Sequence, residues 1–135
     1  MTIMGPHTRG VFAATPATAD PDPIADSVEA LMDCARQCTA RAESCLAQHT
    51  YPDLAACSAA ALRCADICQA TAWAVSRNTG HHIELNRAML HACAQACRDT
   101  TDHCTDHATR HQHRRPCAQA CHRAEQACHD LLTML

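Results

Sequence analysis

Cys93-Ala-Gln-Ala-Cys97-Arg-Asp-Thr-Thr-Asp-His-Cys104 carries cysteines at spacings of four and seven, which return to one side of a helix of 3.6 residues per turn. The same stripe extends back through Ile83, Asn86 and Leu90 and on through Thr100, His107 and His111, stepping by three and four without a break. The motif recurs. Cys117-Ala-Gln-Ala-Cys121 repeats its opening, and Cys34-Ala-Arg-Gln-Cys38 is a relative. The full spacing C-x3-C-x6-C occurs at Cys34/Cys38/Cys45, Cys93/Cys97/Cys104 and Cys117/Cys121/Cys128, and Cys57/Cys64/Cys68 carries it in reverse. These four sets account for all 12 cysteines of the chain.

Each set lies on its own amphipathic stripe. Leu54, Ala61, Thr71 and Val75 continue the second, Ala124, Leu131 and Leu135 the fourth. Ile24, Val28, Leu31, Ala42 and His49 continue the first, with one shift of phase. Beyond residue 23, Gly and Pro occur only in Tyr51-Pro52-Asp53, Asn78-Thr79-Gly80 and Arg114-Arg115-Pro116, which read as turns between four long helices. Short connections make sequence neighbours antiparallel, so the expected fold is all-α, an up-down-up-down four-helix bundle with a cysteine-lined core. With 135 residues, 3 Gly and only Phe12, Tyr51 and Trp73 aromatic, one domain is expected and a sandwich or barrel is excluded. Residues 1–23, rich in Pro, Ala and Thr, read as a flexible or docked arm, and residues 24–135 as the bundle.

An antiparallel partner needs the mirrored spacing if thiols are to meet at one height, and the second set has it. A rise of about 1.5 Å per residue levels Cys34 with Cys68, Cys38 with Cys64 and Cys45 with Cys57. Cys93, Cys97 and Cys104 join these levels, Cys117 and Cys128 join the outer two, and Cys121 falls between. The thiols are expected to form a column along the bundle axis.

Twelve of twelve cysteines on the seam is more than the ordinary burial of Cys as a small hydrophobe explains. Cysteines seven apart on one helix lie too far apart for a disulfide, which leaves cross-helix bridges or metal. The 11 basic residues are all Arg, and only Arg41, beside Ala42, lies near the seam. Buried thiolates must therefore be neutralised by the metal. Zn²⁺ held by four thiolates carries −2, and three such sites on 12 cysteines would bury −6. Cu(I) at about one ion per thiolate gives a neutral chain in which each sulfur bridges two ions, and thiolate is the soft ligand it prefers. Ala42, Ala61, Thr100 and Ala124 would leave room for ions where the column is sparsest.

The two ends of this column differ. At one, Val28, Leu31, Val75, Ile83, Leu90, Leu131 and Leu135 form an apolar plug with Trp73 nearby. At the other, His49 follows Cys45 by one turn, His107 and His111 continue the seam past Cys104, and His103 and His113 lie close by. Imidazole is a competent Cu(I) ligand, so this end reads as the mouth that passes ions to Cys45, Cys57, Cys104 and Cys117. His91, His122 and His129 each adjoin a seam cysteine and are expected to face outward, and Met32 and Met89 read as core.

A net charge of −3 without basic runs argues against nucleic acid, and no run of about 18 apolar residues exists to span a membrane. Ala17-Thr18-Ala19 resembles a cleavage site, but Pro16 interrupts the stretch and only Arg9 precedes it, so a cytoplasmic location is expected. No nucleophile–base set, Gly-rich loop or Glu-x-x-His pair occurs, and no enzymatic activity is expected.

Four helices with paired C-x3-C motifs and a cysteine seam resemble the bacterial copper storage proteins over about residues 24–135. The resemblance implies a bundle holding many Cu(I) ions, of the cytosolic type that lacks a twin-arginine signal, assembled as a homotetramer. This chain has fewer cysteines than the best-known cytosolic relatives. The expected function is high-capacity Cu(I) storage, supplied or emptied by a copper chaperone or small chelator. The alternatives are a structural Zn-thiolate bundle, using Cys45/Cys57/Cys104/Cys117 and Cys34/Cys68/Cys93/Cys128 as tetrahedral sites, and a disulfide or redox scaffold.

Overall fold

The computed structural model describes residues 22–47, 53–77, 81–107 and 115–135. Four helices fill them: α1 (Pro23–Leu46), α2 (Asp53–Ser76), α3 (Ile83–His107) and α4 (Arg115–Met134). Asp22 sets the start of α1. Its carboxylate accepts hydrogen bonds from the backbone N–H groups of Ile24 at 3.0 Å and Ala25 at 3.3 Å, two of the donors a helix N-terminus leaves unpaired. Pro23 then occupies the first helical position, where its fixed φ suits the helix and its missing N–H costs nothing. Arg115 and Pro116, expected in a turn, belong instead to the first turn of α4, which tolerates proline for the same reason.

α1 packs on α2 and α4, and α3 on α2 and α4, so each helix touches two neighbours around a square. Cross-helix contacts fix the directions. Cys34 meets Cys64 while Ser58 Oγ donates to the Ala42 carbonyl at 3.4 Å, so α2 descends as α1 rises. Cys93 meets Cys68 while Thr100 Oγ1 donates to the Ala60 carbonyl at 3.4 Å, making α3 antiparallel to α2. Arg98 pairs with Glu125 at 3.0 Å, and Arg123 with Asp33 at 2.9 Å, joining α4 to α3 and α1 in the same sense. The bundle is up-down-up-down, as the short connections require.

The interior is built from thiols and methyl groups. Cys34, Cys38, Cys64, Cys68, Cys93, Cys97, Cys121 and Cys128 are fully buried together with Ala42, Ala61, Ala72 and Ala124. Among the described residues, bulky side chains close one end: Leu31, Val75, Leu90 and Leu131 are buried one or two turns beyond Cys34, Cys68, Cys93 and Cys128. Outside them lies a pit of about 70 Å³ bordered by Ile24, Asn86, Met134 and Leu135. The plug is narrower than the sequence suggests. Ile83 and Leu135 are exposed at its rim, and Trp73 is half-exposed on the outer face of α2, because position 73 falls between the seam positions Thr71 and Val75. No helix among the described residues is long and apolar enough to cross a membrane.

Candidate metal centre

Steps of three and four keep the described cysteines on the stripe of each helix that faces the other three helices, and most of their sulfurs meet in a chain. Cys38 Sγ lies 3.3 Å from Cys117 Sγ and 3.4 Å from Cys121 Sγ. Cys121 lies 3.6 Å from Cys34, which touches Cys64 at 3.9 Å. Cys97 joins Cys64 at 3.9 Å to Cys68 at 3.6 Å, and Cys93 follows Cys68 at 3.7 Å. Cys128 lies next in line, with Cys93 the neighbour that most raises its thiol. A disulfide brings sulfurs to about 2.05 Å, and the 10 described cysteines are all free thiols.

The flat levels expected from helical rise are replaced by a staggered ladder. Cys34 sits against both Cys64 and Cys68, and Cys117 reaches down to Cys38. Knobs-into-holes packing places a side chain between two residues of the facing helix rather than opposite one. Cys121, expected between levels, lies there, bridging Cys34 and Cys38. Two groups of four sulfurs result, each with all members within 4.8 Å: Cys34, Cys38, Cys64 and Cys121, and Cys34, Cys64, Cys68 and Cys97. They share Cys34 and Cys64. The bottom tetrad proposed for Zn²⁺, Cys34/Cys68/Cys93/Cys128, is not one of these groups.

The sharing bears on the choice of metal. Two Zn²⁺ ions on the six sulfurs of the overlapping groups would leave a net charge of about −2 in a dry core. Six Cu(I) ions on the same sulfurs leave none, and bridging by shared thiolates is how Cu(I) reaches that ratio. The proton affinities of the thiols point the same way. The Cys34 thiol is lowered to about 3, mainly by the hydrogen bond from Cys121 and then that from Cys38. Cys64 and Cys93 also fall, chiefly through hydrogen bonds from Cys121 and Cys128. Their donors hold protons more tightly. Cys121 is raised first by Cys117, Cys38 also by Cys117, Cys128 by Cys93, and Cys68 and Cys97 by Cys34. A few thiols can ionise by taking hydrogen bonds from the rest. All of them together cannot, unless cations enter.

Arg41 is a residue whose burial the sequence reading missed. It is only 2% exposed, and its Nη1 donates to Cys117 Sγ at 3.9 Å. Its signal is the spacing Cys38-x2-Arg41-x3-Cys45, which is seam spacing and places the guanidinium inside the stripe. Among the described residues it is the one buried charged side chain.

Cys45 is buried and Cys117 is 2% exposed at the end away from the plug. Cys57 and Cys104 lie in α2 and α3, with side chains outside the described residues. His103 is half-buried on α3. His49, His111 and His113 lie outside the described residues, as does the side chain of His107. His91, His122 and His129 are exposed, as expected, with His129 Nε2 3.4 Å from Glu125. Met32 packs partly against the core.

Solved relatives and a family profile agree with this geometry. The chain is 44% identical to a cytosolic copper storage protein from Streptomyces lividans, described as loaded with five coppers, with a TM-score of 0.80 over 84% of this chain and 94% of that one. The copper storage protein Ccsp from the same organism, loaded with 10 copper equivalents, is 40% identical, with a TM-score of 0.84 over 95% and 99%. Its H107A/H111A variant is 42% identical, with a TM-score of 0.80 over 86% and 98%. No curated protein matches. The profile described as copper storage protein matches residues 20–133, and the chain belongs to that family.

Proposed function

We propose that this protein stores Cu(I) at high capacity by filling the axis of its bundle with bridged copper–thiolate units. The observation that carries the reading is the sharing of Cys34 and Cys64 between two four-sulfur groups within one unbroken chain of thiols. Isolated sites would keep their ligands separate. Storage calls for tight, redox-silent binding and no turnover. Copper-loaded relatives described as cytosolic support both the cargo and a cytoplasmic location. Titrating the reduced chain with Cu(I) against a competing chelator is expected to show more than about 10 tight equivalents. Two equivalents of Zn²⁺ with no additional copper would instead identify a structural zinc bundle.

In this reading residues 24–135 are the storage unit and residues 1–23 an arm. Copper enters opposite the plug through His49, His103, His107, His111 and His113. The plug supports this direction, since Leu31 and Leu90 are essentially inaccessible at the other end. Replacing His107 and His111 by Ala is expected to slow loading while leaving final capacity nearly unchanged, and stopped-flow loading under anoxia measures it. A copper chaperone or small chelator would deliver the ion to this end. Exposed Leu46, Leu62, Trp73 and Leu85 support assembly through the bundle's outer faces, by resemblance as a homotetramer. Sedimentation equilibrium is then expected to give about four times 14.6 kDa.

A further inference from the structure

The first copper ion to enter an empty column meets a charge problem that later ions do not. One Cu(I) held by two cysteines is an anion. Two S–H bonds break, two Cu–S bonds form, two protons leave to solvent, and copper keeps its oxidation state. A neutral chain of bridged units becomes available only as more ions arrive. The cost of the first anion in a buried site depends on what positive potential the fold supplies there.

Two features place that potential at one pair of sulfurs. Cys38 and Cys117 are 3.3 Å apart. The Arg41 guanidinium, which keeps its charge at any physiological pH, donates to Cys117 Sγ at 3.9 Å from a position 2% exposed. Independently, Cys117 is the third residue of α4, where the unpaired backbone N–H groups of the helix start favour an anion. The plug end offers neither to its sulfurs: among the described residues no charged side chain is buried near Cys93 and Cys128, and although α1 and α3 start at that end, Cys34 and Cys93 lie about three turns into them and Cys128 lies late in α4.

We propose that Arg41 makes Cys38 and Cys117 the pair that takes the first Cu(I) ion. The inference rests on the storage reading. Arg41 acts as a positioning residue: it touches a ligand sulfur and holds charge beside it. Cys121, 3.4 Å from Cys38 and 3.9 Å from Cys117, is next in line to bridge the first ion to a second.

The test uses the full-length, reduced chain. Crystals carrying one equivalent of Cu(I) should show anomalous copper signal between Cys38 and Cys117, and signal centred on Cys68, Cys93 or Cys128 overturns the proposal. In solution, R41Q should weaken the first equivalent about tenfold to a hundredfold against a competing chelator, the size of one charge-assisted hydrogen bond. R41K should restore most of the loss. An R41Q variant that binds its first ion as tightly as the unchanged chain also overturns the proposal. Should R41Q fail to fold by circular dichroism, the copper position in the unchanged chain decides. A chain that never exceeds about two tight equivalents refutes storage itself, whereas high capacity with the first ion elsewhere refutes only the role of Arg41.

Discussion

Cys34 and Cys64 stand apart from the other described thiols because each belongs to both four-sulfur groups, whereas Cys128 belongs to neither and has Cys93 as its main neighbour. A thiolate that bridges neighbouring units should cost more copper when lost than one at the end. C64A is therefore expected to remove about two tight equivalents and C128A about one, counted by chelator competition and native mass spectrometry. Equal losses would mean that each sulfur binds alone. That the described cysteines face inward was legible in the sequence because steps of three and four leave no other face for them. Which four sulfurs meet was not, since a half-step of helix register decides it and residue spacing does not record that offset. Arg41 was legible in principle from its spacing to Cys38 and Cys45. Its adjacency to Ala42 reads instead as a place beside the seam rather than in it.

The helices place the sulfurs, and their polar clamps sit where the column has no cysteine. Ser58 bonds across to α1 at Ala42, and Thr100 across to α2 at Ala60, besides its own-helix bond to Ala96 at 2.9 Å. These bonds tie neighbours together beside small residues that give little hydrophobic contact, a job that buried Leu performs at the plug. Thr71 differs. It is 1% exposed one turn beyond Cys68, and its hydroxyl has no partner. Replacing it by Val removes an unsatisfied polar atom at nearly constant volume, so T71V is expected to raise the melting temperature of the empty protein, by about 1 kcal/mol in stability. At the start of α1 the sign reverses. D22A removes an acceptor for two backbone N–H groups and should cost about 1 kcal/mol, measured by urea unfolding of the reduced, metal-free chain. The helix boundaries followed from Gly and Pro, with the first turn of α4 the exception: Pro116 reads equally well as the end of a loop or the start of a helix.

For the whole molecule the decisive quantity is the charge the core can hold. Empty, it is a network of thiols sharing protons, and its stability should follow them. Cys38, Cys68, Cys97, Cys121 and Cys128 hold their protons above the ordinary thiol value of 9.0, through hydrogen bonds to neighbouring sulfurs and through burial. Their contribution is complete below pH 9 and is lost as pH rises, because the unfolded chain then ionises where the folded one does not. Cys34, Cys64 and Cys93 are lowered, so their contribution is complete above pH 9 and shrinks on acidification. Above pH 9 only the first group changes, and each thiol that stays protonated costs about 1.4 kcal/mol per pH unit. The melting temperature of the metal-free protein is thus expected to fall steeply between pH 9 and 10. Copper removes the cause, since a filled core has exchanged its protons for ions and has none left to lose. Scanning calorimetry of both forms under anoxia should show the alkaline fall in the empty protein and little of it in the filled one. A filled protein that weakens with pH as steeply as the empty one would mean that the core still carries protonated thiols, and that copper lies elsewhere.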